Sequence, residues 1–158
     1  MVARIPTILD ARLAVVGRRE PLSVTPGASL ADCLRQIHRA GVGDSVLVVD
    51  SDGRLAGVLT ERDIFGRLVG SAVDLNRSVD DLMTTDPHTL RLEQTVRDAM
   101  DLMRTGRYRN VPLVDDAGRC VGVVRQQDLL RYVAESFPEE LLNLPPRPHQ
   151  RMKESEGA

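Results

Sequence analysis

The sequence predicts an α/β fold (α+β in its order of elements) in which two pseudo-symmetric β-α-β-β-α motifs pack through their sheets as one module. Three observations predict it. Stretches with helical apolar spacing alternate with short apolar runs in one fixed order. That order returns at a shift of 65 to 66 residues. Each copy also closes on a similar corner, Gly57-Val58-Leu59-Thr60-Glu61-Arg62-Asp63 in the first and Gly122-Val123-Val124-Arg125-Gln126-Gln127-Asp128 in the second.

Residues 1–19 read as an N-terminal arm whose apolar spots are Ile8-Leu9 and Leu13-Ala14-Val15-Val16. The first motif spans 20–70. Pro21-Leu22-Ser23-Val24 is a short strand, and Thr25-Pro26-Gly27 turns the chain. Ser29 and Asp32 stand at capping-box spacing, a cap worth about 1 kcal/mol. Leu30, Cys33, Leu34 and Ile37 then share one helical face, and Gly41 ends the helix. Val46-Leu47-Val48-Val49 is too apolar to alternate, so it predicts a strand buried on both faces. Asp50-Ser51-Asp52-Gly53 turns into the strand Leu55–Leu59, and Ile64, Phe65, Leu68 and Val69 stripe the next helix.

A linker, 71–81, leads to the second motif at 82–137. Asp86 to Leu90 answers Glu20 to Val24, and Thr95 with Asp98 repeats the cap. Val96, Ala99, Met100 and Met103 repeat the stripe, and Gly106 repeats the stop. Val111-Pro112-Leu113-Val114 and Val121–Val124 are the strands; Asp128, Leu129, Leu130 and Val133 mark the last helix. Residues 138–158, with Leu144-Pro145-Pro146-Arg147-Pro148, read as an extended tail. Solenoids usually need three or more repeats, so two copies predict one face-to-face unit with clefts between its halves.

Composition removes several function classes. With no Trp, two Tyr and two Phe, a base-stacking platform for single-stranded nucleic acid has almost nothing to be made from. A net charge of −2 gives no general pull toward nucleic acid or anionic membranes. Cys33 and Cys120 lack CxxC spacing and fit reduced thiols in the core. No apolar run approaches the ~18 residues of a membrane span, and a cytoplasmic location is expected. Placing Gly53 at the sixth position of a calcium loop puts Val48 and Leu59 at ligand positions, which rejects calcium. His38, His88 and His149 show no metal-ligand spacing. No Walker loop, catalytic triad order or paired catalytic carboxylates appear, so no enzyme is expected.

The duplicated pattern resembles a pair of cystathionine-β-synthase (CBS) domains, a Bateman module. The likeness rests on Gly57-Val58-Leu59-Thr60 with Asp63, Val111-Pro112-Leu113-Val114-Asp115, the turn at Gly118 and Asp81-Leu82-Met83-Thr84, and runs from about residue 5 to 137. The resemblance implies a stand-alone regulatory module that senses adenosine-containing ligands, AMP, ADP, ATP or S-adenosylmethionine, in the clefts between its repeats. It implies that Asp63 takes the ribose hydroxyls with help from Thr60. The second copy keeps Asp128 but has Arg125 where the hydroxyl belongs, which predicts unequal sites and a more cationic second corner.

An ionised carboxylate can accept from two ribose hydroxyls, at about 1.5–3 kcal/mol per charge-assisted bond. Micromolar affinity needs about −8 kcal/mol, so walls and backbone groups must add to it. Val24 and Ile64 are candidates around the first corner, and Thr89, Asn110, Val111 and Pro112 around the second. Arg62, Arg107, Arg109, Arg125 and Arg131 are the candidate phosphate cations, although Arg107-Tyr108-Arg109 also fits a solvated face. Thr60 and Asp63 equally read as a plain capping box. A homodimer is expected as the assembly. The alternative function is a ligand-free module that dimerises or docks on an unidentified protein partner, with the Pro-rich tail as a recognition element.

Overall fold

The computed structural model describes residues 7–16, 19–41, 45–69, 72 and 74–136, leaving the Pro-rich tail and Pro6 outside the described residues. A 3₁₀ turn (Ile8–Asp10) and a one-turn helix α1 (Leu13–Val16) precede the first motif. That motif comprises β1 (Ser23–Val24), α2 (Leu30–Ala40), β2 (Ser45–Val49), β3 (Leu55–Thr60) and α3 (Glu61–Leu68). A second 3₁₀ turn (Val79–Asp81) and β4 (Thr84–Thr85) lead into α4 (Val96–Gly106), β5 (Asn110–Val114), β6 (Cys120–Arg125) and α5 (Gln126–Ser136).

Local chemistry accounts for the element ends. Ser29 caps α2 by accepting from the Asp32 N–H at 3.1 Å, while its hydroxyl donates to the Asp32 carboxylate at 2.7 Å. Thr95 and Asp98 make the full reciprocal box on α4. Gly41 ends α2 in the left-handed region, φ 63°. The corresponding stop on α4 differs from expectation: Gly106 is the last helical residue, and the left-handed cap is Arg107, φ 55°. Gly106 is needed for another reason, because an added Cβ there would overlap the Tyr108 ring. The two hairpin turns are copies: Asp50 accepts from the N–H groups of Asp52 and Arg54, and Asp115 from those of Ala117 and Arg119, all at 2.9 Å.

The strands form a four-stranded sheet in the order β1-β2-β3-β4 and a β5-β6 hairpin. β1 is parallel to β2, and the remaining pairs are antiparallel. In the second half a single parallel bridge, Leu90 with Leu113, stands where β1 stands in the first. β2 and β5 are buried at their three central positions, as their unbroken apolar runs predict.

The two cores are not built from the two motifs separately. Leu13, from the N-terminal arm, is 1% exposed and packs with Val96, Ala99, Met103, Val111 and Leu129 of the second motif. Val79, from the linker, is fully buried among Leu30, Cys33, Ile37 and Ile64 of the first. Backbone pairing follows the same exchange. Leu13 N–H donates to the Gln94 carbonyl and Val96 N–H to Ala11; Val79 N–H donates to Ala28 and Leu30 N–H to Arg77. Each lead-in segment is thus a wall of the opposite half, related by a pseudo-two-fold axis. Burying a Leu or Val this fully contributes about 1.5–3 kcal/mol. Near the axis the hairpin turns meet: Arg54 bridges Arg119, Leu55 N–H donates to Gly118, and Cys120 N–H donates to Gly53.

β4 also belongs to this exchange, since it pairs with β3 at Gly57 and Val58. A Cβ at Gly57 would stand 2.6 Å from Met83 Sδ and 2.9 Å from the Thr84 carbonyl, so the absent side chain lets β4 close on β3. The helix stripes are only partly covered. Ile64 is buried, but Phe65 is 59% and Val69 86% exposed, and Met100 and Leu130 are exposed as well. Periodicity marks which residues share a face; it does not say that this chain covers all of that face.

Cys33 is fully buried, and that burial, with the Asp32 charge second, pushes its thiol from 9.0 up to about 11. The folded state therefore favours the neutral thiol. Its contribution is intact below the unfolded value and is lost as pH rises from 9 toward 11. We expect native Cys33 to resist a thiol reagent near neutral pH and to react once the protein is unfolded, with an alkaline fall in melting temperature that Cys33→Ala reduces. Rapid labelling of Cys33 in the native protein would contradict this.

Candidate functional site

The corner between β3 and α3 is set by one reciprocal cap. Thr60 holds an extended backbone, φ −107° and ψ 158°, and its hydroxyl accepts from Asp63 N–H at 3.1 Å. Asp63 Oδ2 accepts from Thr60 N–H at 2.8 Å and from its hydroxyl at 2.7 Å. The plain capping reading is therefore met, and it leaves Asp63 Oδ1 without a hydrogen bond among the described residues. A carboxylate held at one oxygen by two donors is fixed in place, with its second oxygen available as an acceptor.

This corner opens into a cleft of about 660 Å³, within the range of small-molecule sites. Ser45, Val58, Thr60, Glu61, Arg62, Asp63 and Phe65 line it from the first motif. Thr84, Asp86, Pro87, His88, Arg107, Tyr108, Arg109, Asn110 and Pro112 face them from the chain after the linker. The pseudo-symmetry makes the junction, for Asn110 Nδ2 donates to Ser45 Oγ at 3.2 Å, and these two residues hold corresponding places in β5 and β2. His88 and Tyr108 stack at a tilt, ring centroids 5.7 Å apart. The charged lining is three guanidiniums, Arg62, Arg107 and Arg109, against Glu61, Asp63 and Asp86.

Asp128 has different surroundings. Its carboxylate, only 10% exposed, takes both oxygens to Arg19 Nε at 2.9 and 3.0 Å, and Arg131 lies 3.9 Å away. Arg19 reaches it because the lead-in segment crosses to the other half, where Arg19 forms an isolated bridge with Val123. The residue in the corresponding pairing position of the first corner is Thr84, opposite Val58, which has no charge to offer Asp63.

Of the residues singled out from sequence, Thr60, Arg62, Asp63, Arg109, Asn110 and Pro112 share the Asp63 cleft. Thr89, Val111, Arg125 and Asp128 do not line it; Val111 is 1% exposed in the core, and Arg125 ends β6 opposite Asn110. Ile64 is a core residue and Val24 packs against the same core. Asn110 and Pro112, expected around the second corner, thus lie beside the first, since the half-to-half junction runs through β5. Three of the candidate cations, Arg62, Arg107 and Arg109, line the Asp63 cleft, while Arg19 and Arg131 stand beside Asp128. Sequence reasoning missed Thr84, Asp86, Pro87, His88 and Tyr108 as lining. Only the two-residue β4 places most of them, and a pair of threonines carries no periodic signal.

Two left-handed residues other than glycine occur among the described residues, Asp86 at φ 50° and Arg107 at φ 55°, and both line this cleft. Such a backbone costs about 1–2 kcal/mol for an ordinary side chain. Among the described residues no cluster of three or more His, Cys, Asp or Glu could hold a metal ion, and no helix is long and apolar enough to cross a membrane.

Comparison with known proteins agrees with this fold. The family model described as "CBS domain" matches residues 14–70 and 79–135. A 17.7 kDa protein of Acidianus ambivalens is 32% identical over 68% of this chain; the chain spans 64% of that relative's length, and from 12% to 66% of other curated relatives. A CBS domain protein from Pyrobaculum aerophilum, solved in complex with AMP, is 26% identical with a TM-score of 0.68, covering 78% of this chain and 99% of that one. The CBS domain pair of protein MJ0100, solved with 5′-methylthioadenosine and S-adenosyl-L-methionine, shares the fold at 21% identity and a TM-score of 0.70 over 80% and 98% of the two chains.

The Arg19–Asp128 pair gives a stability test. Arg19→Ala leaves a largely buried carboxylate with one distant cation, and we expect a loss of about 1–2 kcal/mol in urea denaturation. In the Arg19→Ala, Asp128→Asn double variant the losses should be less than additive. Strict additivity would mean the pair contributes no coupling.

Proposed function

The chain belongs to the CBS-domain family, and on that premise we propose that it is a regulatory module binding one adenosine-containing ligand, AMP in the first instance, in the cleft beside Thr60 and Asp63. The single observation that carries this reading is the difference between the corners. Asp63 has an oxygen to spare on an open cleft with three arginines, whereas Asp128 is engaged on both oxygens by Arg19.

In this reading the ribose hydroxyls donate to Asp63 Oδ1, and the phosphate meets the guanidiniums of the cleft. Phe65, Val58, Pro112 and the His88–Tyr108 pair give the base apolar and aromatic walls. ADP and ATP bring further negative charge to the same cations. S-adenosylmethionine places a sulfonium among them, which the Glu61 and Asp86 carboxylates would have to offset. The lining comes from both motifs, so an occupied cleft favours the packing in which they are close. That differential affinity is what a sensor needs, and no catalytic step is assigned to the site.

A second element of the reading is a homodimer, for which the exposed apolar members of three helix stripes speak: Val69 after α3, Met100 on α4 and Leu130 on α5.

Calorimetry with AMP, ATP and S-adenosylmethionine is the primary test. We expect saturable binding of AMP at one site per chain, a rise in melting temperature with ligand, and a 10–100-fold loss in Asp63→Asn from one charge-assisted bond. Asp128→Asn should leave the stoichiometry unchanged. No heat and no thermal shift with any adenosine ligand at millimolar concentration would end this reading. For the assembly, sedimentation should give a dimer, and Met100→Glu with Leu130→Glu a folded monomer; a wild-type monomer across the micromolar range would remove the dimer.

A further inference from the structure

We propose that Arg107 is the residue that selects phosphorylated over unphosphorylated adenosine ligands in the cleft, a refinement that rests on the reading above. The molecule supplies its own control. α2 and α4 correspond, and both end on a left-handed cap, Gly41 at φ 63° and Arg107 at φ 55°. Glycine takes that conformation without steric cost, so the first motif has the residue that helix termination alone would choose. The second motif has an arginine in the same backbone geometry.

The place where glycine is replaced lines the cleft beside Asp63. Arg107 lines the Asp63 cleft and Gly41 does not. Arg107 forms no ion pair or hydrogen bond through its side chain among the described residues, so no internal partner accounts for the guanidinium. Among the described residues the one other left-handed residue that is not glycine, Asp86, which follows β4 and caps no helix, lines the same cleft. Backbone strain of this kind persists where a side chain is wanted in a fixed place. A guanidinium offers a phosphate two parallel N–H donors, and a neutral nucleoside offers it no charge to meet. The nucleoside half of the ligand is held by other groups, Asp63 and the aromatic pair, so the two contributions separate.

The competing account is that Arg107 simply complements the negative end of the α4 dipole. The two accounts predict opposite changes. AMP and adenosine affinities would be measured by calorimetry for wild type, Arg107→Gly and Arg107→Asn, the last keeping a residue that tolerates a left-handed backbone, alongside melting temperatures without ligand. We expect AMP to weaken about tenfold in both variants, as loss of one charge-assisted interaction implies, adenosine to change less than about twofold, and Arg107→Gly to melt at or above the wild-type temperature. A preference for AMP over adenosine that is unchanged in both variants, or a lower melting temperature with the preference intact, would overturn the proposal and leave the nucleotide reading standing. Should wild type bind neither AMP nor adenosine, that reading fails, and inorganic phosphate followed by phosphorus NMR decides for Arg107: line broadening in wild type that both variants lose supports it, and none in wild type overturns it as well.

Discussion

The structure depends on an exchange. Neither motif closes its own core: the first needs Val79 from the linker, and the second needs Leu13 from the N-terminal arm. A unit of about 60 residues buries too little surface to be secure by itself. Two such units that lend each other a wall make one larger core system and fix their mutual orientation. The paired backbone bonds at Ala11–Val96 and Ala28–Val79 hold that orientation by direction as well as by area.

The cleft follows from the same exchange. The chain that crosses from the first half to the second runs beside β3 as β4, and it brings Asp86, Pro87 and His88 opposite Thr60 and Asp63. In the other direction the arm brings Arg19 to Asp128. One topological device thus gives two corners of unlike chemistry, because the two crossing segments differ in sequence. Thr84 leaves its corner's carboxylate with an oxygen to spare, and Arg19 occupies the other's.

Much of this was legible from residues alone, and the limits are instructive. The repeat, the caps at Ser29, Thr60 and Thr95, the buried runs of β2 and β5 and the hairpin turns all have local signals, a hydroxyl before a stripe or an Asp before a Gly. Asp63 was legible for the same reason, since its partner is three residues away. The engagement of Asp128 was not, because its partner Arg19 lies 109 positions upstream and nothing local records the pairing. The far wall of the cleft was hidden likewise, as β4 is too short to show a period. Phe65 and Val69 show a further limit: they carry the apolar spacing of a covered face and are exposed in this chain.

The exchanged walls also impose an order of events on a growing chain. Leu13 is made before the residues that cover it, which run from Leu90 to Leu129. The first motif comes closer to being self-sufficient, since its borrowed residue, Val79, follows it directly. During synthesis the first core can therefore form while the arm is still uncovered, and the arm docks only when β5, β6 and α5 have emerged. Long-range closure of this kind is slow, and the segment that waits is apolar. The apolar arm is thus a segment of the nascent chain that a chaperone would have reason to shield until the residues from Leu90 to Leu129 have emerged.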